Sequence, residues 1–208
     1  EGVFKPGILY KDFWTYTVVT SDKTSTNSVM NELVDRQSGG SGFVSVSIPY
    51  SNSSTLAHYM ATGFSLSNSN PEAGSATPHV FATAYSDDNI PFSAFNKTEI
   101  WVDGSTRGAS NSNMAPVVGT NTDMFIGAGW RGFHPGSFYR DGKIAEVIVY
   151  QAPLTALNHQ KILSYLCLKY GISKKSENIA SSVRDDRDYF ASDNSVIWDY
   201  DLSLIHIS

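Results

Sequence analysis

The chain has 208 residues, of which 41% are hydrophobic and 12% aromatic, enough for one sandwich-sized core. Charged residues make up only 17%, below the usual share of about a quarter, and Ser, Thr, Asn and Gly take their place. The net charge of −5, with no basic cluster, excludes a nucleic-acid partner on electrostatic grounds, and the single cysteine, Cys167, excludes both an intrachain disulfide and a cysteine-based metal site.

Along the chain, short alternating runs dominate. Phe13–Val19 is aromatic and β-branched throughout, and Met30–Asp35 follows as a second strand. In Phe43–Ile48 the apolar Val44, Val46 and Ile48 alternate with Ser45 and Ser47, the period of a half-buried strand. His79–Tyr85, Thr98–Val102, Met124–Ile126 and Lys143–Tyr150 are further strands. Turn-forming clusters separate them at Gln37–Gly42, Asn68–Pro71, Asp103-Gly104 and Asn111–Asn113. Many short strands between such turns predict an all-β, two-sheet antiparallel jelly-roll sandwich.

One helix is expected, over Ala156–Tyr170. Thr155 can cap its start, Lys169 complements the dipole in its last turn, and Gly171 supplies a left-handed stop. The sandwich domain is therefore expected over residues 1–172, closed by a short C-terminal helix. Residues 173–208 read as a linker and the truncated start of a following region, so the chain is expected to be part of a longer multidomain protein. The mixed-charge run Arg184–Asp188 reads as a solvated loop, and the strand-like Ser195–Trp198 has no evident partner. The final residues, Ser203–Ser208, follow no pattern set up before them. No run reaches the roughly 18 apolar residues of a membrane span.

The stretch Gly142–Tyr150 (GKIAEVIVY), then Pro153-Leu154-Thr155, then Lys161–Ile172 (KILSYLCLKYGI), resembles the end of the concanavalin A-like, or laminin G-like, domains of large secreted surface proteins of Bacteroidetes-type bacteria. Ile100–Gly104 resembles the hairpin of that family with its VDG turn, Ile126-Gly127-Ala128 resembles one of its strands, and Ala191–Asp199 resembles the run that follows its helix. The resemblance covers residues 98–199. It implies a jelly-roll fold, an extracellular or cell-surface location and a role in binding or adhesion. The matching residues are structural, so the site must be sought elsewhere.

Three constellations compete for it. Glycoside hydrolases on this fold pair two carboxylates about 5–10 Å apart. Glu99 and Asp103 would share a strand face with Trp101 between them, but Asp103 is better explained as the turn residue of Asp-Gly. The five histidines are scattered, without metal-ligand spacing. The chain is therefore expected not to be an enzyme. No cofactor is required. Ca²⁺ is the metal ion the loops could hold, through the oxygens of Asp87, Asp88 and Asn89, with Asn121 and Asp123 as a second supply; ordinary turns are the competing explanation. The third constellation is the loop Gly129–Arg140, dense in aromatics and arginine. Trp130, Arg131, His134 and Tyr139 could stack on sugar rings and bond their hydroxyls, or the aromatics could plug the sandwich edge. Trp101 is either a core residue or a second platform. The function expected is an extracellular binding or adhesion module, carbohydrate-binding, with a glycan or cell-surface partner. The alternatives are a non-binding spacer of an adhesin and a glycoside hydrolase or lyase.

Overall fold

A computed structural model of the chain describes residues 3–4, 12–20, 29–35, 43–47, 55–60, 64–69, 77–86, 90, 98–110, 122–127, 143–150, 152–175 and 188–198. The strands are β1 (Val3–Phe4), β2 (Asp12–Val19), β3 (Val29–Asp35), β4 (Phe43–Ser47), β5 (Thr55–Met60), β6 (Phe64–Ser69), β7 (His79–Ser86), β8 (Thr98–Val102), β9 (Ser105–Ser110), β10 (Thr122–Ile126) and β11 (Ile144–Tyr150). Helix α1 (Ala156–Tyr170) follows, then β12 (Tyr189–Phe190) and β13 (Val196–Trp198). One antiparallel sheet has the order β1-β10-β3-β4-β5-β6 and a second has β11-β2-β7-β8-β9. This is the two-sheet all-β jelly roll with one helix that the sequence predicts, and the helix bounds coincide with the expected Ala156–Tyr170. The strands β1, β5, β6 and β9 are additions to the sequence reading. The turn clusters Gln37–Gly42 and Asn111–Asn113, and the last residues Ser203–Ser208, lie outside the described residues.

The central strands β2, β7 and β8 of the five-stranded sheet are buried on both faces, and their sequence explains why. On β2, Trp14, Tyr16 and Val18 face one way and Thr15 and Thr17 the other, and all five are 2% exposed or less. The aromatic side is built with a large–small–large alternation across strands. Tyr16 pairs with Ala82 of β7, and Ala82 pairs with Trp101 of β8. The two alanines of β7, Ala82 and Ala84, leave a trough between the bulky rows, and α1 lies in it through Leu163, Leu166 and Cys167. Burying the two leucines stabilises the fold by about 2 kcal/mol each as an upper estimate. The opposite face carries Thr15, Thr83 and Ile100, which are also buried, and the Thr15 and Thr83 hydroxyls bond each other at 2.7 Å.

Local chemistry fixes the helix. Thr155 is extended (φ −71°, ψ 157°), and its hydroxyl accepts the Asn158 N–H at 3.2 Å. Gly171 takes the left-handed conformation at φ 66° and its N–H bonds the Cys167 carbonyl, which ends α1.

The segment after Ile172 departs from the expectation of an unpartnered strand. β13 pairs antiparallel with β12, with Tyr189 opposite Trp198. The two-residue β12 is too short to show any alternation in sequence. A tight turn joins the pair, with Asn194 at φ 73° and the Asp193 carboxylate accepting both the N–H and the hydroxyl of Ser195. The hairpin is held on α1. The Phe190 N–H donates to the Ser164 hydroxyl at 3.0 Å, and the buried Lys174 amine donates to the Gln160 side chain and the Asp188 carbonyl. Asp188, expected in a solvated loop, is 6% exposed.

Candidate functional site

The aromatic face of the five-stranded sheet is the first place to look for a ligand platform, and α1 closes it. Trp14 and Trp101 stack at 5.8 Å with ring planes 10° apart. His159, brought down by the first turns of α1, tilts over them 4.6 Å from Trp101, and its Nδ1 bonds the Tyr16 hydroxyl at 2.7 Å. Trp101 is 0% exposed, so it is a core residue and not a sugar platform.

The carboxylates singled out on β8 are structural in their contacts. Glu99 is 6% exposed and accepts the Thr106 hydroxyl at 3.1 Å from the neighbouring β9. Asp103 and Gly104 form the two-residue turn between β8 and β9, both with positive φ (53° and 90°), as the Asp-Gly pair predicts. The Asp103 carboxylate accepts the Val80 N–H at 2.9 Å and the His79 ring at 2.7 Å, and lies 3.3 Å from the Lys175 amine. Its carbonyl accepts the Lys175 N–H at 2.6 Å. Asp103 thus ties the chain leaving α1 to the end of the sheet. Among the described residues no three His, Cys, Asp or Glu side chains gather to hold a metal ion.

The residues assigned to binding from sequence, Trp130, Arg131, His134 and Tyr139, lie outside the described residues, as do Asp87, Asp88, Asn89 and Asn121. Their points of attachment are described. The loop with Trp130 runs from β10, in the six-stranded sheet, to β11, at the edge of the other. It enters β11 at Ile144, which pairs with Val19. The Asp87–Asn89 segment leaves β7 at Ser86, which pairs with Asp12. Val19 and Asp12 are the two ends of β2, about 23 Å apart at the rise of a strand. The two segments attach at opposite ends of the sheet and are therefore treated as two separate sites.

A feature that the strand-by-strand reading missed is an open groove of about 960 Å³ between β11, the outer side of α1 and the β12–β13 hairpin. Ile148, Tyr150, Ile162, Tyr165, Leu168 and Ile197 are among the residues that line it. Among the described residues the large apolar side chains left exposed are Tyr150, Tyr165, Leu168, Val196 and Ile197, and all but Val196 line this groove. The sequence carried a signal for it. Ile162, Tyr165 and Leu168 add a second apolar stripe to a helix whose other stripe already faces the sheet, and such a helix has two faces to cover.

Two of the lining residues, Tyr165 and Lys169, belong to a charged cluster. Lys169 donates to Glu146 at 3.1 Å and to the Tyr165 hydroxyl at 2.7 Å, and Tyr170 donates to Glu146 at 3.0 Å. Burial alone would raise the Glu146 carboxyl, but the hydrogen bonds from Lys169, Tyr170 and Tyr165 outweigh it and hold the group below its ordinary 4.5. The Tyr165 and Glu146 contacts in turn push the Lys169 amine up.

Comparison with known proteins agrees with this architecture. A family model described as a domain of unknown function (DUF8202) matches residues 158–203, which takes in most of α1 and the hairpin and less than half of the chain. No curated protein matches the chain in sequence. Its fold is that of a Limulus polyphemus SAP-like pentraxin (TM-score 0.56, 14% identity, 90% of this chain and 82% of that one). It is likewise that of domains LG4-5 of the mouse laminin alpha1 chain (TM-score 0.52, 13% identity, 74% of this chain). The chain spans only 40% of that laminin chain. Ruminococcus gnavus IT-sialidase CBM40, bound to α2,3-sialyllactose, is similar at TM-score 0.53 and 11% identity over 70% of this chain and 79% of that one. The chain therefore has a concanavalin A-like, laminin G-like fold. Among the described residues, no helix is long and apolar enough to cross a membrane.

Proposed function

We propose that this chain is a non-catalytic carbohydrate-binding module, working outside the cell or at its surface within a larger adhesion-type protein. Trp130 and Tyr139 would stack on the apolar faces of sugar rings, and Arg131 and His134 would bond ring hydroxyls. The single observation that carries this reading is the burial of the central strands β2, β7 and β8 on both faces, which supports recognition by the loops. The richest loop in aromatic and donor side chains is the one joining the two sheets ahead of β11. The fold it shares with a sialyllactose-bound CBM40 supports a glycan as the ligand class. Asp87, Asp88 and Asn89 would contribute oxygens to a Ca²⁺ at the other end of the sheet.

A glycan array probed with the wild type and with Trp130→Ala, each with and without calcium, tests this. The expected result is wild-type binding to a restricted set of glycans that Trp130→Ala loses. Absence of binding to every glycan in both conditions would make the chain a spacer. Polysaccharide cleavage that disappears in Glu99→Gln would make it an enzyme. A melting shift with Ca²⁺, reversed by a chelator and absent in Asp87→Ala, is expected if the metal binds where proposed.

A further inference from the structure

The loop that joins the two sheets ahead of β11 is one-sided in its hydrogen-bonding chemistry. From Gly129 to Arg140 it holds no aspartate, glutamate, asparagine or glutamine. Trp130, Arg131, His134 and Arg140 supply donors. Acceptors are confined to the Ser137 and Tyr139 hydroxyls, one nitrogen of a neutral His134 and backbone carbonyls. A sugar hydroxyl donates as well as accepts, so a neutral sugar is best met by carboxylate or amide acceptors beside the donors. A carboxylate or sulfate only accepts, and a guanidinium holds it through two parallel N–H bonds. Both arginines directly follow an aromatic residue, as Trp130-Arg131 and Tyr139-Arg140. Adjacent Cα atoms lie about 3.8 Å apart, so at both places a ring and a guanidinium are rooted side by side.

The end of the sheet that roots this loop adds to the same chemistry. Lys143 is exposed, and its backbone is pinned to the end of β2: its carbonyl accepts the Thr20 N–H at 2.9 Å and its N–H donates to the Thr20 hydroxyl at 3.3 Å. The described carboxylates near this end are Asp103, Glu146 and Asp188. Asp103 and Asp188 are 2% and 6% exposed, and Asp103 accepts from Val80 and His79. Glu146 accepts from Lys169 and Tyr170. The neighbouring connections, residues 20–28 and 70–78, bring Asp22, Lys23 and Glu72, so the surplus of positive charge belongs to the loop itself. The loop and its root carry Arg131, Arg140 and Lys143 against Asp141 alone, in a chain of net charge −5.

Resting on the glycan reading of this loop, we propose that its ligand is an anionic saccharide, with a carboxylate or sulfate on the ring that stacks. The ring would lie on Trp130 or Tyr139. The oxyanion would take the paired N–H groups of Arg131 or Arg140, and Lys143 would add positive charge at the root of the loop. Carboxylate and sulfate share this acceptor-only chemistry, so both are tested.

The test is titration calorimetry with matched pairs of saccharides that differ only in charge. The pairs are α2,3-sialyllactose and lactose, trigalacturonic acid and its methyl ester, and a sulfated heparin disaccharide and its desulfated form. The first two pairs report on carboxylate and the third on sulfate. The whole chain is measured beside Arg131→Gln, Arg131→Lys, Arg140→Gln and Trp130→Ala, with melting temperatures recorded for each. The wild type should prefer the anionic member of at least one pair by about tenfold or more. Arg131→Gln or Arg140→Gln should bring that preference below about threefold at unchanged melting temperature, and Arg131→Lys, which keeps the charge but not the fork, should fall between. Raising salt from about 0.05 to about 0.5 M should weaken the anionic member more than the neutral one. Equal binding of both members of every pair, or a preference that neither glutamine variant reduces, would overturn the proposal. Binding of neutral sugars alone, lost in Trp130→Ala, would overturn it while leaving the glycan reading in place. Binding of no saccharide by the wild type would remove both.

Discussion

Replacing Asp103 by alanine should loosen the chain after α1 and destabilise the whole domain, because its carboxylate meets the Val80 N–H, the His79 ring and the Lys175 amine and its backbone holds a left-handed turn. The buried Val80 N–H loses its acceptor at 2.9 Å, which costs about 1–3 kcal/mol. Alanine at φ 53° is strained in the left-handed region, by about 1 kcal/mol. The Lys175 contact, on a side chain 40% exposed, adds no more than a few tenths of a kcal/mol. The sum is about 3 kcal/mol, and a domain of this size melts roughly 2–4 °C lower per kcal/mol, so a fall of about 6–12 °C is expected. Asp103→Asn tolerates the turn conformation and keeps one acceptor oxygen, so it should lose about half as much. Thermal and urea unfolding measure both. Limited trypsin digestion measures the local effect, since Lys174 is 5% exposed in the intact fold and should be cut faster in the alanine variant. A melting shift below about 2 °C for the alanine variant, or an asparagine variant as unstable as the alanine one, would refute this account of Asp103. Gly104 belongs to the same junction. At φ 90° an added Cβ would sit 2.9 Å from the Lys175 carbonyl oxygen, so Gly104→Ala should destabilise as well.

Three further outcomes follow from named contacts. Burial, with a smaller contribution from the Asp103 charge, pushes the Cys167 thiol up to about 12, so iodoacetamide at pH 8 should leave it unmodified in the folded chain and alkylate it once urea unfolds the protein. Because the folded Glu146 carboxyl is held below 4.5, its contribution to stability is present above that pH and is lost as the pH falls through the lowered value. The melting difference between wild type and Glu146→Gln should therefore shrink towards zero on acidification. Thr155→Ala removes the hydroxyl that accepts the Asn158 N–H and should cost about 1 kcal/mol in urea unfolding. Gly171→Ala meets no neighbour and should cost about 1 kcal/mol through its positive φ alone.

The legible parts of this fold are those where local chemistry and burial agree. The aromatic and β-branched Phe13–Val19 run and the Thr155–Gly171 helix with its two caps are strong signals, because every residue choice in them favours one structure. β9, Ser105–Ser110, carries almost no apolar residue and is held by its pairing with β8, so its strand character comes from the Asp-Gly turn and not from its own pattern. β12 escaped notice for a related reason. Its two residues are ordered by contacts from Ser164 and Lys174, which lie elsewhere in sequence. The groove was partly legible as a second apolar stripe on α1. Its other walls come from β11 and the hairpin, and only the fold brings those together.

Two tryptophans of this chain, Trp14 and Trp101, are enclosed in the core, which allows the proposed site to be read out directly. Trp14 and Trp101 are fully enclosed between the sheet and α1, stacked on each other and covered by His159. A ligand cannot reach them without displacing a helix that carries Leu163 and Leu166 in the core. Such core side chains typically cost about 2–5 kcal/mol each when truncated to alanine. Their fluorescence should therefore be insensitive to a soluble glycan and weakly quenched by acrylamide. If Trp130 is the stacking platform, a glycan selected on the array should change the emission of the wild type. Trp130→Phe, which removes the reporter but keeps an aromatic ring, should abolish the change while weakening affinity only modestly. A full-size emission change in Trp130→Phe would mean that another tryptophan meets the ligand, and that the loop between β10 and β11 is not the site.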